Sequence, residues 1–145
     1  MEIRFKYEDL IARCEQLSSF ETEGKVDAAG QSRYLEIHIN EVDRLLVKQY
    51  IDQARNILEE RIGRMLDGSV NSTDGFRWML RTDTRWKPSG TFERHISEAV
   101  VAYTMSAWLS DKLPERIAFY DALFTASTEM AVKNIFKKQA PRYEE

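Results

Sequence analysis

Between residues 91 and 138 the chain carries two long apolar stripes at helical spacing, separated only by Lys112-Leu113-Pro114. A connection that short leaves two helices little choice but to fold back on each other as an antiparallel pair. The first helix of the pair contains Ile96, Ala99, Val100, Tyr103, Ala107 and Trp108 on one face, and Val101, Met105 and Leu109 widen the arc. An arc that wide predicts a helix covered on more than one side. The second places Ile117, Tyr120, Phe124, Ala131 and Ile135 on one side and Phe119, Leu123, Ala126 and Met130 on the adjacent one. Pro114 suits its first turn, and Pro141 forbids its continuation past about Lys138.

Two further helices are expected upstream. Tyr7, Leu10, Ile11, Cys14 and Leu17 share a stripe that should end near Ser18-Ser19. Val42, Leu45, Leu46, Ala54, Ile57, Leu58, Ile62, Met65 and Leu66 form a longer one over residues 41–66, with Asn40 and Asp43 as an imperfect capping box and Gly68 as a stop. Residues 21–32, with Gly24 and Gly30 and no periodicity, read as a flexible loop, and 68–75 as a turn-rich linker.

Two segments alternate with period two. Leu35, Ile37 and Ile39 against Tyr34, Glu36 and His38 predict a short strand over 34–39. Residues 76–87 give the more regular signal, with Phe76, Trp78, Leu80, Thr82, Thr84 and Trp86 on one face. A turn at Asp83-Thr84 would split that run into a hairpin. The expected fold is therefore mainly α: a single-domain bundle of about four helices, the last two a hairpin, with a short β element from residues 34–39 and 76–87 and a tail over 139–145.

Composition narrows function by exclusion. A length of 145 residues suits one domain, and a net charge of −3 does not describe a molecule built as a whole to bind polyanions. Apolar runs fall short of a membrane span, and the first residues lack the apolar core of a secretory signal, so no membrane association is expected. The single cysteine, Cys14, sits on an apolar stripe and reads as a small buried hydrophobe. His38 has Glu36 on its face and His95 has Glu98, which in each case is half a metal site at best. No glycine-rich phosphate loop is present. No catalytic, cofactor-binding or metal-binding residue is expected, and no enzyme activity.

The outer face of residues 76–87 is the informative feature. Arg77, Arg81, Arg85 and Lys87 point one way if the strand is regular, with Asp83 the one carboxylate among them. Like charges on one face repel, so such a row fits either a negative partner, nucleic acid or an acidic protein surface, or an edge strand guarding against unwanted pairing. Lys133, Lys137, Lys138 and Arg142 form a second basic cluster, which the helix dipole partly explains. The first third carries the acids Glu8, Asp9, Glu15, Glu21, Glu23 and Asp27. That polarity serves head-to-tail self-association or pairing within one chain equally well.

The order of elements resembles the small helical connector or adaptor proteins of tailed-phage necks. A long amphipathic helix ending in Arg61-Ile62-Gly63-Arg64 is followed by a strand-containing excursion, a helical hairpin and a charged tail. Ile96-Ser97-Glu98-Ala99-Val100-Val101-Ala102-Tyr103 and Trp108-Leu109 are similar to the second core helix of that group. The likeness spans residues 41–142, while the first helix, the long loop and the long basic strand depart from the usual pattern. It implies a virion protein without a substrate: a homo-oligomeric ring joining portal and tail components, with passive contact to the DNA in its lumen. The two basic clusters would be contact surfaces. The competing reading is a cytosolic nucleic-acid or regulatory protein-binding module that uses residues 77–87.

Overall fold

The computed structural model describes residues 1–81 and 90–136. The chain opens with strand β1 (Glu2–Lys6), helix α1 (Tyr7–Glu21), a four-residue helical turn α2 (Tyr34–Ile37) and helix α3 (Arg44–Arg61). Strands β2 (Leu66–Asn71) and β3 (Gly75–Leu80) follow, then helices α4 (Thr91–Leu109) and α5 (Ile117–Phe136). The mainly α class is borne out, with the β element built as one antiparallel three-stranded sheet in the order β1-β3-β2.

Helix α4 is the centre. Phe92, Ile96, Ala99, Val100, Met105, Trp108 and Leu109 are all buried, because α1, α3 and α5 cover it from different sides. The hairpin is antiparallel as expected: Ser106 donates to Asp121 at 2.6 Å near the connection, and Asn134 to Thr91 at 2.6 Å at the far end. A 3₁₀ turn beginning at Pro114 starts the second helix.

The sheet packs its inner face into the same core. Ile3 and Phe5 of β1 and Phe76, Trp78 and Leu80 of β3 are buried, as alternation requires. Phe5 stacks on Phe76 at 4.8 Å and meets Trp78 edge-on at 5.3 Å. Gly75 is obligatory at the start of β3, beside the end of β1, since a Cβ there would lie 1.9 Å from the Phe5 carbonyl oxygen.

Several expectations are corrected. The segment over 34–39 is not a strand. Tyr34–Ile37 is a helical turn, and only His38 onward is extended. Period two is satisfied in part, with Ile37 and Ile39 buried while Leu35 stays 81% exposed. No strand is needed because side chains satisfy the backbone: Trp108 Nε1 donates to the Ile37 carbonyl at 2.7 Å, and Ile39 N donates to Ser18 Oγ at 3.0 Å.

Helix α3 stops at Arg61, short of Leu66. Gly63 opens a 3₁₀ turn there, which still turns Ile62 and Met65 into the core. Residues 68–71, read as part of a linker, belong instead to edge strand β2, which is held by backbone pairing to β3 with no buried side chain of its own. The strand expected over 76–87 is described only as Gly75–Leu80. Residues 82–87 lie outside the described residues, as does the tail over 139–145. Helix α1 runs on to Glu21, past Ser18-Ser19, with Ser18 buried and its Oγ donating back to the Glu15 carbonyl at 2.8 Å. Asp43 does accept from Asn40 N at 2.9 Å, so the capping box forms, although it opens a 3₁₀ turn before α3.

Candidate interaction surfaces

Arg77 sits on the outer face of β3 and shares one carboxylate with a neighbour in the sheet. It bonds Glu2 of β1 at 3.3 Å, and the same carboxylate accepts from Arg4 at 2.9 Å. The hydrogen bond from Arg4, aided by both guanidinium charges, holds the Glu2 carboxyl below its usual range. Arg81, just past the strand, donates to Asp67 of β2 at 2.8 Å. A carboxylate from each flanking strand therefore meets the two described cations of the row. Sequence reading missed this because β1 and β2 had not been recognised as strands. Arg85 and Lys87 lie outside the described residues, and so do Lys137, Lys138 and Arg142. Lys133 stands exposed in the last turn of α5.

The acidic first third also pairs within the chain. Glu15 accepts from Arg44 at 2.9 Å. Glu21 accepts from Arg116 at 3.0 Å and from the Tyr120 hydroxyl at 2.8 Å, tying the end of α1 to the start of α5. Burial, together with that carboxylate, pushes the Tyr120 phenol up.

Two other polar clusters pin elements together. The Tyr7 hydroxyl meets Asp52 Oδ1 at 2.5 Å and the Asn71 amide at 2.7 Å, joining α1, α3 and β2. Burial, then the Asp52 carboxylate, raises its phenol to about 12. Glu59 accepts from Trp78 Nε1 at 3.0 Å and from Ser69 Oγ at 2.5 Å, joining α3 to the sheet. All three clusters unite residues far apart in sequence, so no local motif announced them.

The remaining candidates are structural. Cys14 is fully buried, and burial pushes its thiol up to about 12. His38 stacks on Tyr34 at 4.6 Å with Nδ1 3.0 Å from Ser19 Oγ. His95 turns Nδ1 toward Glu98 at 3.8 Å. Among the described residues no group of three or more His, Cys, Asp or Glu is arranged to hold a metal ion, and no helix is long and apolar enough to cross a membrane.

Large apolar side chains stand exposed at several points, Phe20, Leu35, Phe119 and Met130 among them, and two features draw notice. Val42 and Leu45, around the start of α3, are 87% and 71% exposed, and Leu46 beside them is half-exposed. Elsewhere α1 and α5 flank α4 without filling the space above it, leaving a groove of about 290 Å³. Leu10 and Leu17 of α1, Val101 of α4 and Leu123 of α5 line it, with Asp9, Arg13, Arg94 and Glu98 among them. The Glu21–Arg116–Tyr120 cluster ties α1 to α5 at one end.

Comparison with protein-family models, with curated proteins and with solved structures finds no match to this chain.

Proposed function

We propose that this protein is a structural assembly component of a phage or prophage particle, forming the neck ring that joins portal and tail within the virion. The observation that carries the reading is the surface around the start of α3, where Val42 and Leu45 stand 87% and 71% in water. A soluble chain keeps adjacent large aliphatics that exposed where another surface covers them. The element order supports it as well: a long helix, an antiparallel strand excursion and a helical hairpin follow one another as in the neck proteins the sequence resembles. On this reading the work is geometric, and the ring has no substrate.

The in-chain pairing of Arg77 with Glu2 and Arg81 with Asp67 counts against a nucleic-acid module built on that strand, because paired cations release fewer counterions from a phosphate backbone. Electron microscopy of the purified protein, alone and mixed with a tailed-phage portal protein, tests the proposal. Closed rings with a central opening are the expected result. Particles that never close, in a protein that instead binds nucleic acid with steep salt dependence, would transfer the assignment to the binding module.

A further inference from the structure

Helix α5 is apolar almost all the way round: its 20 residues carry only Asp121, Glu129 and Lys133 as charges. A helix of that composition is ordinarily covered on every side. Among the described residues α4 is the one helix packed along its length, and α1 reaches it at the Glu21–Arg116–Tyr120 cluster near its start. One flank that α4 leaves uncovered keeps Phe119 and Met130 half-exposed, with Leu123 and Ala126 exposed between them. These four recur at steps of four, three and four residues, the spacing with which one helix packs lengthwise on another. The stripe is about 16 Å long.

Its side chains match one another when the stripe is turned end for end. Around a point midway between Leu123 and Ala126, Phe119 of one copy meets Met130 of the other, an aromatic ring against a thioether. Leu123 meets the small Ala126, so large faces small at the centre. The same operation sets Glu115, exposed just before the helix, next to Lys133 in its last turn. Among the described residues neither has an ion pair within the chain, whereas Arg116 is already held by Glu21. A parallel pairing would instead set Ala126 on Ala126 and Lys133 on Lys133, leaving a gap and a repulsion.

We propose that this flank of α5 is the contact surface for the α5 of a second copy, running antiparallel across a two-fold axis. Such a contact is isologous and closes at two chains. It goes beyond the ring described above and does not rest on it; with a ring in place, the same contact joins two rings face to face. The seam is short beside a standard interface, so the isolated pair dissociates on dilution.

The experiment uses the full chain and absolute mass by light scattering, with thermal melting to verify folding. Phe119→Asp with Met130→Asp changes side chains already half in water, so the fold survives and self-association weakens by about tenfold or more. The mass then halves wherever the wild type holds paired copies. Cross-linking under mild oxidation reads the register. Chains carrying Phe119→Cys link to chains carrying Met130→Cys, and neither variant links to itself; the native thiol, Cys14, is buried.

Pairing that survives Phe119→Asp with Met130→Asp overturns the contact, and rings whose mass that double variant leaves unchanged keep the ring without it. Phe119→Cys chains that link to one another also overturn it, in favour of a parallel pair. A wild-type chain that stops at two copies, alone and with the portal, keeps this contact and removes the ring. One that is monomeric at every concentration overturns the contact.

Discussion

Gly75 has no room for a side chain, because a Cβ there would run into the Phe5 carbonyl where β1 pairs with the start of β3. Gly75→Ala is expected to cost about 3 kcal/mol of stability, an overpacking penalty against backbone that has nowhere to move. A shifted urea midpoint with an unchanged slope is the readout. Tyr7 carries a pH signature. Its folded phenol is raised to about 12 from an ordinary 10, so the folded state holds its proton more tightly than the unfolded chain. Its contribution is complete below pH 10 and is lost as pH rises through about 12. Tyr7→Phe should flatten the decline in urea midpoint over that window relative to wild type. It should also lower stability near neutrality by about 1–2 kcal/mol through the lost hydroxyl contacts with Asp52 and Asn71. Neither residue stood out in the sequence, since each matters through a partner dozens of positions away.

At the scale of elements, what was legible followed from periodicity. The stripes of α1, α3 and α5 each bury one side and the wider arc of α4 is covered from several, so a 3.6-residue repeat was enough to find them. The sheet was half legible. Phe76, Trp78 and Leu80 announce β3, but β1 has only Ile3 and Phe5 to alternate, and β2 has Gly68 and polar residues between Leu66 and Val70, with no period of two. Both exist because β3 offers them backbone partners, which is a non-local fact. Residues 34–39 failed for the opposite reason: the alternation was present, and Trp108 and Ser18 met the backbone groups that a ladder would otherwise have served. Trp108→Phe should therefore loosen this segment. Removing the indole N–H leaves the buried Ile37 carbonyl without its donor, at about 1–2 kcal/mol. Faster amide exchange confined to residues 34–40 would show it. The candidate surface was the least legible part, because the basic row looked free until Glu2 and Asp67 came into reach from strands not yet recognised.

For the whole molecule, charge and apolar surface point to different roles. Surface ion pairs such as Arg81–Asp67 contribute little to stability, but they offset part of the charge a polyanion would seek. Arg77→Ala and Arg81→Ala are accordingly expected to leave retention on nucleic acid unchanged at moderate salt. A clear loss with either would restore the binding-module reading. The apolar patches carry the other half of the account. Val42 and Leu45 stand exposed side by side at the start of α3, and a large aliphatic pair left in water is what a neighbouring subunit would cover. The most direct measurement is the absolute mass of the purified chain by light scattering across a concentration series. The account predicts one large species at a fixed whole-number multiple of 17.0 kDa, independent of further concentration once assembled. A mass of 17.0 kDa throughout, unaltered when the portal is added, would contradict it.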